Sequence, residues 1–133
     1  VLNYEEGSEY SFDNGDGRSE TTLTDAGMSP TGVEGRDLAA ESFFEYGSRV
    51  GFWRLWNLFA TRGLALTVSG SALALERNPP AAQAIRESGT EVLCHGWRWV
   101  NQFNLPEEVE RDHIRKAVAS LERTIGQRPL GWY

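Results

Sequence analysis

Three short stretches of the chain hold side chains suited to acid–base chemistry. Glu5-Glu6-Gly7 comes first, Cys94-His95-Gly96-Trp97-Arg98-Trp99 lies past the middle, and Arg128-Pro129 lies near the end. Two adjacent carboxylates can supply a base and a ligand or orienting group. In an extended strand they would point to opposite faces, so both can serve one site only if the chain turns there, as Gly7 permits. The plainer reading is two solvated acids at a loop start. His95 is a candidate base, acid or ligand, or else a hydrogen-bonded structural histidine. Arg128 can grip a carboxylate with its planar fork and so orient Glu5 or Glu6; the plainer reading is a loop arginine after a helix end. Trp97 and Trp99 can wall a flat ligand or simply pack. Cys94 and His95 are adjacent in a strand, diverge, and make no nucleophile pair. Cys94 therefore reads as a small buried hydrophobe, and His113, set among charges on a helix, as a surface residue.

The elements that must position these groups follow from the hydrophobic pattern. Residues 1–4 predict a short buried strand. Residues 5–45 form a long acidic stretch with eleven acids and two basic residues, Arg18 and Arg36. It reads as a loop, and loops beyond about 12–15 residues are usually functional or disordered. Ser48 reads as the cap of a helix reaching Arg62, with Val50, Trp53, Trp56 and Phe59 on an apolar stripe and Gly63 ending it. A strand is expected over 64–69 and a short helix over 71–78. Pro79-Pro80 starts a further helix ending at Gly89, and a third strand runs over 91–94. Asn104 reads as the cap of a long helix, with Pro106 in its first turn, Glu107 three residues on and Gly126 at its end. A last strand begins near Pro129. This alternation predicts an α/β fold with parallel strands joined by crossover helices. In such folds the chemistry sits past the C-terminal ends of strands, which is where Glu5 and His95 fall.

Composition excludes several classes. The formal net charge is −6, the wrong sign for a nucleic-acid-binding face. No apolar run approaches the roughly 20 residues that span a bilayer. The single cysteine, Cys94, cannot form an intramolecular disulfide, which fits a cytoplasmic setting. Both termini fall inside strand-like runs, so the natural protein is expected to be longer at both ends. This piece alone is expected to be inactive and, with open sheet edges, to associate with another copy or another segment.

Taken together, the motifs resemble those of the polysaccharide deacetylases. Asn3-Tyr4-Glu5-Glu6-Gly7 is similar to that family's first motif, Thr-Phe-Asp-Asp-Gly, whose first acid is the base and whose second binds a divalent metal. His95-Gly96-Trp97-Arg98-Trp99 falls where the family has two metal-binding histidines, and Arg128-Pro129 looks like its third motif. Both acids are glutamates here, and Trp99 stands in place of the second histidine. With these departures the chain resembles the metal-independent allantoinases that derive from the deacetylases.

The resemblance implies the N-terminal half of a deacetylase-type (β/α) barrel, residues 1–133 forming part of one catalytic domain. It implies a hydrolase opening the hydantoin ring of allantoin without metal or other cofactor. Its catalytic residues would be Glu5, His95 and Arg128, with Glu6, Trp97 and Trp99 holding a small ureide. Were a metal present, Glu6 and His95 would be its ligands. No nucleic acid or membrane partner is implied, and a homo-oligomer is expected. The alternatives are a polysaccharide deacetylase acting on N-acetyl groups and a non-catalytic subunit of the same fold.

Overall fold

The computed structural model describes residues 1–22 and 35–133. Its strands are β1 (Leu2–Tyr4), β2 (Thr67–Gly70) and β3 (Glu91–Cys94), in the order β1-β2-β3 and all parallel. Tyr4, Gly70 and Cys94 are in register and end the strands together. A fourth segment joins beside β3: Cys94 pairs with Trp132, its N–H donating to Gly131 O and its carbonyl accepting from Tyr133 N–H.

Alternation assigns the two faces of the sheet. Tyr4, Val68, Val92 and Cys94 are buried in the core. Asn3, Ser69 and Leu93, one position on, point to the other face. Glu5 and His95 lie two residues beyond Asn3 and Leu93, so the pleat carries them to that second face, just past the strand ends.

The helices cover the first face. They are α1 (Leu38–Tyr46), α2 (Phe52–Thr61), α3 (Ala72–Arg77), α4 (Pro79–Ser88) and α5 (Glu107–Ile125). Phe52 packs edge-on against Tyr4, with ring centroids 5.2 Å apart. Leu75, Ile85, Ala117, Leu121 and Ile125 complete the core. Asn78 explains the break between α3 and α4: its side chain caps α4 at Ala81 N–H, and prolines open the new helix, where their missing N–H costs nothing. Gly89 and Gly126 end α4 and α5 in the left-handed conformation, as expected for those positions.

Three expectations need correction. The acidic stretch is not loop as far as residue 45, because α1 begins at Leu38, where the Asp37 carboxylate accepts from Ala40 N–H. Ser48 caps nothing: it lies in a π-helical turn, Gly47–Gly51, that joins α1 to α2, and its hydroxyl donates to Glu45 O. Residues 23–34 of the acidic stretch lie outside the described residues. Asn104 does not cap α5, whose N-cap is Pro106; a short 3₁₀ turn, Gln102–Asn104, precedes it, capped by Asn101. Ser48 and Asn104 carry capping side chains near helix starts yet cap neither helix, whereas Asp37 caps α1.

Candidate active site

Glu5 and His95 meet. The Nε2 of His95 lies 2.6 Å from Glu5 Oε1, with side chains 15% and 21% exposed respectively. The other ring nitrogen, Nδ1, faces the Tyr133 carbonyl oxygen at 3.2 Å, and the two rings stack with centroids 5.3 Å apart. Both partners of the imidazole are acceptors, so both contacts are satisfied at once only when both nitrogens carry protons. The hydrogen bond to Glu5 accordingly holds the His95 pKa above the usual histidine value; burial opposes it, and the Glu5 charge and Tyr133 carbonyl add to it. The pair sets an acid side chain against an imidazole at the mouth of the sheet.

The loop after β1 sets Glu5. Gly7 takes a positive φ of 102°, so the chain turns and Ser8 N–H returns to Glu5 O at 3.0 Å. The buried Ser8 hydroxyl donates to the same carbonyl at 2.6 Å. His95 is set by the sheet, its N–H donating to Gly70 O.

Glu6 does not share this site. Gly47, in the π turn on the helix side, lies so close that a Cβ there would stand 2.7 Å from Glu6 Oε1 and 2.8 Å from its Cγ. The Glu6 carboxylate accepts from Glu5 N–H and lines a cleft of about 670 Å³ together with Glu9, Arg77 and Asn78. Burial raises the pKa of Glu6, as it does that of Glu9. The turn at Gly7 thus serves one acid of the pair and not both.

The tryptophans do not flank the pair. Trp97 packs against the hydrophobic core, and Trp99 lies tilted against Phe44 at 6.0 Å. Nor is Arg128 brought to Glu5: its guanidinium is exposed and reaches Glu122 at 3.3 Å. Register gives the reason. Trp132 pairs with Cys94 at the C-terminal strand end, and Arg128 lies four residues earlier, about 13 Å back along an extended chain. Cys94 is buried, and burial raises its thiol pKa. His113 is not a plain surface residue: it is half-buried, its Nδ1 has no hydrogen-bond partner, and burial lowers its pKa.

Reading the sequence alone missed Arg98. Its guanidinium donates to both Asp16 oxygens, at 3.0 and 2.6 Å, and to Glu9 O at 3.0 Å. The only hint was an arginine set between two tryptophans, with its acid 82 residues away.

Comparison with known proteins places this geometry. Residues 36–133 match the polysaccharide deacetylase family model. The chain belongs to the polysaccharide deacetylase family. A Schizosaccharomyces pombe protein named as a polysaccharide deacetylase is 41% identical over the whole chain, which spans 42% of that relative. The solved structure of Puue allantoinase superposes with a TM-score of 0.94 at 39% identity, covering all of this chain and 44% of its own. A Pseudomonas aeruginosa PAO1 structure named as a polysaccharide deacetylase gives 0.91 at 44% identity, with the same coverage. The chain thus spans less than half the length of these relatives, and its three parallel strands correspond to the N-terminal part of a deacetylase-type barrel.

The donor set does not fit the divalent metal that the deacetylase motifs imply. Among the described residues no three His, Cys, Asp or Glu side chains are grouped to hold an ion. His95 Nε2 is taken by Glu5, Glu6 faces the helix side against Gly47, and the Trp99 indole can only donate. No helix among the described residues is long and apolar enough to cross a membrane.

Proposed function

We propose that the full-length protein hydrolyses a cyclic amide, opening the hydantoin ring of allantoin to allantoate, in the cytoplasm. The observation that carries this reading is the 2.6 Å Glu5–His95 contact at the strand ends. Similarity to Puue allantoinase over the whole chain supports it. Ring opening needs a base for water, a donor for the developing oxyanion and a proton for the leaving nitrogen. Glu5 takes the proton from water as its oxygen attacks the ring carbonyl. On substrate binding the His95 Nε2–H turns from Glu5 to the carbonyl oxygen and donates to it as charge gathers there. The C–N bond then breaks, and the proton held by Glu5 passes to the departing nitrogen.

A second reading has support of its own. The Pseudomonas and Schizosaccharomyces relatives, both named as deacetylases, are 44% and 41% identical, and removal of an acetyl group from a sugar amide would need the same base. Turnover of allantoin against N-acetylated oligosaccharides by the full-length protein separates the two. Hydrolysis of allantoin alone is the expected result; acetate release from the sugar with no action on allantoin would replace the first reading with the second.

A further inference from the structure

Glu5 and His95 stand on different loops, and one ion pair fastens those loops together. Arg98 is three residues beyond His95. Besides its bonds to Asp16 and Glu9 O, its Nε reaches Ser8 O at 3.4 Å. Trp99 N–H donates to Ser8 O at 3.2 Å and lies 3.3 Å from its hydroxyl. Ser8 is fully buried and donates twice to Glu5 O, from its hydroxyl and from its backbone N–H. Asp16 in turn accepts from Ser11 N–H at 2.9 Å, which closes residues 11–16 into a turn beside the guanidinium. Both charged side chains are largely covered, at 16% and 14% exposed. Burial raises the Asp16 pKa, but the hydrogen bond and charge of Arg98 outweigh it and hold the carboxyl below its usual value.

We propose that the Arg98–Asp16 clamp is a positioning device that fixes Glu5 against His95. Arg98 touches neither reacting group. It acts through Ser8 and the Glu5 carbonyl on one side and through its own place on the His95 loop on the other. A bidentate guanidinium suits the task, because its planar fork fixes orientation as well as distance. A lysine would keep the charge but not the geometry. This inference rests on the proposed role of Glu5 in hydrolysis, but its geometric part does not depend on the substrate.

The test uses full-length Arg98→Ala, Arg98→Lys and Asp16→Asn, with Arg111→Ala as a control on an exposed helical pair with Glu107. Crystal structures report the Glu5–His95 distance, and steady-state kinetics on allantoin separate kcat from KM. In both Arg98 variants the 2.6 Å contact is expected to open beyond 3.5 Å. Their kcat should fall about 10- to 100-fold, the cost of misplacing a reacting group by about 1 Å, with KM little changed. Asp16→Asn keeps the shape of the acid and should lie between the alanine variant and wild type, giving a folded protein to measure if the arginine variants fold poorly. Arg111→Ala should match wild type. A contact that stays closed in Arg98→Ala or Asp16→Asn overturns the proposal, whatever happens to the rate. So does an Arg98→Lys enzyme of wild-type kcat. If wild type does not turn over allantoin, the reading of function fails, while the distances still decide whether the clamp positions Glu5.

Discussion

Replacing Glu5 by glutamine separates the chemistry of the site from its architecture. The amide has the shape of the carboxylate, and its oxygen can still accept from His95 Nε2 at a distance near 2.6 Å. Two things are lost: the ability to take a proton from water, and the charged hydrogen-bond partner that raises the His95 pKa. Loss of a general base typically costs about 10²–10⁴ in rate, or about 3–5 kcal/mol of transition-state stabilisation. The structural cost is smaller, because a charge-assisted hydrogen bond becomes a neutral one, a difference of about 1 kcal/mol. Allantoin hydrolysis by full-length Glu5→Gln, followed with circular dichroism and a melting curve, should show kcat reduced at least 100-fold in a folded protein. Near-normal turnover would remove Glu5 from the mechanism and leave the 2.6 Å pair a structural bond.

Three further outcomes follow from the same geometry. His95 has a raised folded-state pKa, so its contribution to stability is fully present below its unfolded value of about 6.5 and is lost as pH rises through the folded value. Urea midpoints of wild type should therefore fall by more than those of Glu5→Gln as pH climbs above 6.5; parallel curves would contradict the pairing. Glu6 is a carboxyl with a raised pKa, so the native state binds its proton more tightly than the unfolded chain and stability declines as pH rises above about 4.5. Glu6→Gln should be more stable than wild type at pH 7, with the gap closing toward pH 4, and a destabilised variant at pH 7 would show that the charge is needed where it sits. Arg128→Ala should leave allantoin turnover within about twofold and stability within about 0.5 kcal/mol, as for an exposed ion pair; a large loss of kcat would restore Arg128 to the site.

Much of the fold was legible because its signals are local. The prolines after Asn78, the glycines at 89 and 126 and the apolar run of β3 each act within a few residues, and the elements they bound lie where the pattern put them. The start of α1 was hidden because Asp37 is one acid among eleven, and nothing in the sequence marks which of them caps a helix. The meeting of Glu5 and His95 past the strand ends was legible because alternation and strand-end placement are themselves sequence rules. Arg128 was placed wrongly because the start of a strand was taken for its chemical end, and only the Cys94–Trp132 register fixes the direction. Trp97 and Trp99 looked available to a ligand because an aromatic in a loop carries no mark of what it packs on. Arg98 and Asp16 escaped notice because a bond between residues 82 positions apart has no local spacing to betray it.

The most direct test of the central claim is allantoin hydrolysis by the full-length protein, purified and assayed in the presence of a strong chelator, with the product identified. On the proposed mechanism the Glu5–His95 pair works without a metal, so stoichiometric formation of allantoate at an undiminished rate is the predicted result. No turnover of allantoin, or turnover abolished by the chelator and restored by a divalent cation, would contradict it.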